Sequence, residues 1–161
     1  MIFVTVGTQL AFDRMVGAVD RWVNAKDTQI IAQVGPTEVR FSNIKYKSFL
    51  EQEQLDHILK NTELVVAHAG MGSILSSLSL GKPIIIMPRK ASLGEHRNEH
   101  QMATAKRFQN RPGVYVAWDE QQLVVLLNRW SIERFDNVDE ISNTASTEFI
   151  ANLKQLIGNT Q

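Results

Sequence analysis

Residues 64–101 read LVVAHAGMGSILSSLSLGKPIIIMPRKASLGEHRNEHQ, and this stretch decides the fold. A short apolar run, Leu64–Ala67, stops at His68-Ala69-Gly70-Met71-Gly72-Ser73. A segment of small and apolar residues with helical spacing follows and ends at Gly81-Lys82-Pro83. A second apolar run, Ile84–Met87, stops at Pro88-Arg89, and a polar loop leads into another helical segment near Asn98. The pattern is strand, glycine turn, helix, strand, polar loop, helix. Parallel strands joined by a crossover helix place both loops at the carboxyl ends of their strands. In open α/β sheets that edge is where ligands bind.

Working outward, the same alternation continues. Ile2–Val6 is β-branched and aromatic and is closed by Gly7-Thr8-Gln9, and Ala11–Val23 carries Phe12, Met15, Val16, Val19, Trp22 and Val23 at helical spacing. Further strands are expected at Gln29–Val34 and Ile44–Lys47, with a short helix at Glu51–Leu59. Beyond the central stretch, His100–Phe108 reads as helix, Val114–Ala117 as strand, and Asp119 as the cap of a helix to about Trp130. Ser146–Ile157 has the period of a final amphipathic helix. The expectation is a single domain over residues 1–161, α/β in class: a Rossmann-like, mostly parallel sheet of about six strands with helices on both faces.

Composition narrows the function. Lys+Arg and Asp+Glu are each 17 in 161 residues, so the balanced charge argues against a nucleic-acid binder working through bulk charge. With no cysteine there is no disulfide framework, thiolate metal site or cysteine nucleophile. No apolar run approaches membrane-spanning length, and MIFVTVGT reads as a first strand and not as a signal peptide. A cytoplasmic location is expected, peripheral at the inner membrane face through a partner.

Two loops carry the candidate chemistry. Gly70 and Gly72 leave room for a ligand against the backbone, and the amides around Gly72 and Ser73 open a helix, a favourable seat for a diphosphate. Gly7 with Thr8 is a weaker version of the same device. His68 is either a strand-end hydrogen-bonding residue or a ligand contact. In the second loop, Asn98, His100 and Gln101 can bond sugar hydroxyls, and Arg89 or Arg97 can offset phosphate charge. His96 and His100 stand four apart, a spacing that can share a metal, but the surroundings do not resemble a metalloprotease helix. No metal is expected.

The segments VTVGTQLAFDRMV, HAGMGSILSSLSLGKPIIIMPR and EHRNEHQMATA resemble the carboxyl-terminal, donor-binding half of glycosyltransferase family 28, over about residues 1–117. The likeness is greatest to small stand-alone forms of that half, and MPRKASLGEHRNEHQ looks most like those of bacterial capsule and exopolysaccharide synthesis. The resemblance implies a GT-B half-enzyme that binds a UDP-sugar as donor substrate, with no other cofactor. It assigns His68, Gly70, Gly72 and Ser73 to the diphosphate-binding turn, and Gly7 and Thr8 to a first glycine loop of the donor site that faces the interdomain cleft. His100 and Gln101 fall on the sugar side, with His96 and Asn98 in the preceding loop, and the uracil near Tyr46–Phe49. Many members hold the ribose with a glutamate at the position that is Ser76 here; serine makes one such bond without the charge. The resemblance further implies an inverting reaction on a polyprenyl-linked sugar. Acceptor binding and the general base would come from a membrane-associated partner. A non-catalytic accessory subunit and an unrelated nucleotide binder are the alternatives.

Overall fold

The computed structural model describes residues 1–23, 28–136 and 138; the expected helix at Ser146–Ile157 lies outside them. Among the described residues there are six strands and five helices, in the order β1 (Ile2–Thr5), α1 (Asp13–Val23), β2 (Ile30–Gln33), β3 (Lys45–Lys47), α2 (Gln52–Asn61), β4 (Leu64–His68), α3 (Met71–Ser79), β5 (Ile84–Met87), α4 (His100–Phe108), β6 (Val114–Val116) and α5 (Glu120–Ile132). A short 3-10 turn, Ala91–Leu93, interrupts the loop between β5 and α4. Among the described residues no helix is long and apolar enough to cross a membrane.

The strands form one sheet in the order β3-β2-β1-β4-β5-β6, and every pairing is parallel. The three central strands explain why. In β1, Ile2 and Val4 face one layer and Phe3 the other. In β4, Leu64 and Val66 oppose Val65 and Ala67. In β5, Ile85 and Met87 oppose Ile84 and Ile86. Strand side chains alternate between faces, so a run apolar at every position needs cover on both sides.

On one face lies a core shared with α1 and α5, including Met15, Val19, Trp22, Leu123, Leu127 and Trp130. There the Trp22 indole donates to Asn128 Oδ1 at 2.9 Å. The other face carries Ile74 and Leu78 of α3 and Ala105 of α4, with Leu59 of α2. Asp119 caps α5 as expected, its Oδ1 accepting from the Gln122 amide at 2.8 Å.

After β3 the chain returns to the opposite side of β1 and lays down β4. The loops leaving β1 and β4 therefore diverge in opposite directions and open a crevice between them. The Gly7 turn and the His68–Ser73 turn stand side by side at that crevice, although 61 residues separate Gly7 from His68 in number only; the β1–β4 pairing of Thr5 with Ala67 brings them together.

Candidate functional site

Three glycines shape the crevice for three reasons. Gly7 has φ +80, and a Cβ there would lie 2.8 Å from His68 Cε1. Gly70 has an ordinary φ of −87, yet a Cβ would lie 2.2 Å from His68 Nε2. Both leave space for the His68 ring, which sits between the two turns. At Gly72 a Cβ would meet nothing within 4 Å, so this position faces open space. Burial pushes the His68 imidazole down to about 4, with the nearby Arg89 cation acting in the same sense; the Thr5 carbonyl pulls weakly the other way. Nδ1 is buried with no hydrogen-bond partner of normal geometry among the described residues. At neutral pH the ring is uncharged, one nitrogen a donor and the other an acceptor.

Helix α3 begins beside that ring. Its N-cap is Gly70, which has no side chain to turn back on the helix, and the first main-chain bond is Ile74 N–H to the Gly70 carbonyl at 3.2 Å. Among the described residues, the Met71, Gly72 and Ser73 amides have no acceptor. A helix start left open in this way directs donors and the positive end of the helix dipole at the crevice.

The β1–α1 turn differs from the sequence expectation. Gly7 is not at a helix N-terminus: α1 starts only at Asp13, and the Gly7 amide donates to Thr5 Oγ1 at 3.1 Å. The Gly7 carbonyl accepts from Gln33 Nε2 at 3.0 Å, while Gln33 Oε1 accepts from the Leu50 amide. Gln33 thus ties the turn to the next loop, a role its place in an apolar strand did not signal.

Arg89 also departs from expectation. It is 2% exposed, and its guanidinium donates to the carbonyls of Val6 at 3.0 Å, Leu10 at 2.7 Å and Ala11 at 2.5 Å. The guanidinium lies over the Phe12 ring, 4.7 Å from its centre. Its Nη1 and Nη2 groups are committed to main-chain carbonyls, those of the β1–α1 turn and, at 3.5 Å, that of Glu95. The turn curls its carbonyls onto this cation, which is why it makes no helix there.

The β5–α4 loop is internally braced. Arg14 Nε and Nη2 donate to the two Glu95 carboxylate oxygens at 2.6 and 2.9 Å, and Nη1 donates to Glu120 at 2.9 Å. The Lys90 amide donates to Glu95 Oε2, and the Ala91 amide to Glu99 Oε1. Burial alone would raise the Glu95 carboxyl, but the bonds from Arg14 and Lys90 hold it below the usual range. The Arg14–Glu95 pair gave no local signal in the sequence, because its members are 81 residues apart.

Two cavities flank the paired turns. The larger, about 340 Å3, is lined by Gly7, Thr8, His68, Gly72, Ser73, His96 and Gln101, with Arg89 in its wall. The smaller, about 170 Å3, shares Gly7, Thr8, Gly72 and Ser73 and adds Gln33 and Ser76. Gln101 Oε1 accepts from the Arg89 amide at 3.1 Å. Asn98 and His100 do not line either cavity. Asn98 Oδ1 accepts from the His100 amide and lies 3.1 Å from His96 Nδ1, so it shapes the start of α4, and the His100 side chain is exposed. Tyr46, Lys47 and Leu50 line a separate, mainly apolar groove of about 380 Å3 between β3 and α2. Among the described residues no three His, Asp or Glu side chains cluster as a metal site.

An all-parallel, doubly wound sheet with an open helix start and a polar cavity at its switch point defines a Rossmann-like α/β domain. The chain belongs to the glycosyltransferase family 28 C-terminal domain family, whose sequence model matches residues 1–157. It is 31% identical over 117 residues to the UDP-N-acetylglucosamine transferase subunit ALG13 of Mus musculus, a match covering 66% of this chain and 10% of that protein. It is 34% identical over 74 residues to a UDP-N-acetylglucosamine--N-acetylmuramyl-(pentapeptide) pyrophosphoryl-undecaprenol N-acetylglucosamine transferase of Clostridium tetani, covering 45% of this chain and 19% of that one. The chain thus spans a fifth or less of the length of these relatives. The NMR solution structure of ALG13 superposes with a TM-score of 0.61 at 20% identity, over 98% of this chain and 95% of that one, which establishes the shared fold.

Proposed function

We propose that this chain is the donor-binding half of a UDP-sugar-dependent glycosyltransferase whose acceptor-binding half is a separate, membrane-associated subunit. The observation that carries the reading is the open start of α3 between two cavities, where the Met71, Gly72 and Ser73 amides have no acceptor among the described residues. A diphosphate seated on those amides has room on one side for a sugar, beside His96 and Gln101, and on the other for a ribose, beside Ser76. Thr8 and the uncharged His68, whose ring Gly70 makes room for, border the same seat, onto which Gly72 opens. The names of the two relatives support UDP-N-acetylglucosamine as the first donor to test, a subunit partner, and a polyprenyl-diphosphate acceptor. The resemblance of MPRKASLGEHRNEHQ to the bacterial polysaccharide branch of the family supports a polysaccharide precursor as the acceptor.

In the proposed reaction an acceptor hydroxyl attacks the anomeric carbon from the side opposite the diphosphate. The new glycosidic C–O bond forms as the bond to the diphosphate breaks, and UDP leaves with the electron pair. The hydroxyl proton goes to a base on the partner. This chain lowers the barrier by stabilising charge on the leaving diphosphate with preorganised amides, without a bound metal.

Calorimetric titration with UDP, ADP and a panel of UDP-sugars, in the absence of added metal, tests the reading. Uridine-selective binding, strongest for one UDP-sugar, is the expected outcome. Equal affinity for ADP and UDP, or no binding even with the partner present, would overturn it. Turnover of donor and lipid acceptor by this chain alone at full rate would refute the division of labour.

A further inference from the structure

We propose that Arg14 and Glu95 are positioning residues: their ion pair presets the β5–α4 loop so that the site favours a sugar nucleotide over the bare nucleoside diphosphate. This rests on the donor-binding reading above. The loop from Lys90 to Glu99 contains only one short 3-10 turn, and Gly94 at its middle has φ +70 with open space around it. Left to itself such a segment samples many conformations. Glu95 is its anchor. Both carboxylate oxygens are held by one guanidinium, which Glu120 orients from the far side. Bidentate pairing fixes direction as well as distance.

The pair is also shielded, with 16% of the Arg14 side chain and 14% of that of Glu95 exposed, so solvent competes weakly. The next residue is His96, which lines the larger cavity, and Asn98 Oδ1 meets its ring. Glu95 therefore sets the take-off point of the His96 side chain. Neither Arg14 nor Glu95 lines the cavity, so neither reaches a ligand there. The amides at the start of α3 belong to a different loop, and neither Arg14 nor Glu95 bonds them. The consequence is a split effect: loosening the brace weakens contacts to the sugar and leaves those to UDP.

The experiment compares wild type with Glu95→Gln, Arg14→Gln and Arg14→Lys in two readouts. In calorimetry, the affinity advantage of UDP-N-acetylglucosamine over UDP is expected to fall about tenfold in the two Gln variants, the worth of one lost polar contact. UDP affinity stays at the wild-type value, and Arg14→Lys, which keeps the charge but not the fork, falls between. In hydrogen exchange without ligand, amides of residues 90–99 are expected to exchange about tenfold faster, with α3 unchanged.

Parallel loss of UDP and UDP-sugar binding, or unchanged loop exchange, would overturn the proposal. If a Gln variant fails to fold, Arg14→Lys carries both readouts. A wild-type chain that shows no uridine preference would instead overturn the donor-binding reading, while the exchange result would still decide whether the pair holds the loop.

Discussion

Replacing Arg89 with methionine removes the cation that holds the β1–α1 turn while leaving most of the side-chain volume. The structure sets the size of the effect. Arg89 is 2% exposed, and its guanidinium bonds the carbonyls of Val6, Leu10 and Ala11. Methionine still covers Phe12 with its apolar stem, so little packing is lost. Each carbonyl left without a donor costs about 1 kcal/mol or more, so the three together predict a loss of about 3 kcal/mol. For a chain of this size that corresponds to a fall in Tm of roughly 6–12 °C. Urea denaturation of Arg89→Met against wild type, followed by circular dichroism, measures it. Arg89→Lys keeps the charge but cannot reproduce the planar fork, and is expected to recover only part of the loss. A destabilisation below about 1 kcal/mol would mean that water satisfies those carbonyls, and the reasoning would fail.

Gly72→Asp is expected to fold as wild type, since a Cβ there meets nothing within 4 Å, and to weaken UDP binding by tenfold or more by placing a carboxylate over the α3 amides; calorimetry with a parallel melting curve tests both halves. His68 takes up its proton at about 4 in the folded chain and near its ordinary value when unfolded, so the unfolded state binds more protons between these limits. Stability should therefore fall as pH drops from about 6.5 towards 4, and the slope should be smaller in His68→Gln; urea midpoints at pH 7 and pH 5 decide it. Asp119→Ala removes the cap on the Gln122 amide and should cost about 1 kcal/mol in the same assay, with no change in UDP affinity.

The architecture was legible where a pattern is local. Strands that are apolar nearly throughout, above all those at Leu64 and Ile84, require a sheet covered on both faces, and helix-period runs between them require crossovers, so a parallel sheet follows from periodicity. His100–Phe108 and the Asp119 cap were readable because a helix and its cap are set within a few residues of chain. The pairing of a glycine turn with a polar loop could likewise be read, since both follow strands that had to lie in the same sheet.

Contacts made across the fold were not legible in this way. Arg89 read as a cation able to offset phosphate charge, and Glu95 carried no signal of its own; sequence chemistry cannot distinguish an arginine that meets phosphate from one that meets carbonyls. Their partners lie 78 and 81 residues away and come within reach only through the strand order that sets β1 beside β4 and β5 next to it. The glycines make the same point. Gly70 and Gly72 are two residues apart in one motif, yet one makes room for the His68 ring and the other opens onto the crevice. The sequence by itself determined which segments become strands and helices and where the crevice opens, because backbone preference and apolar periodicity act locally. Only the tertiary structure decided which polar side chains face a ligand and which brace a loop, because that depends on atoms contributed by distant parts of the chain.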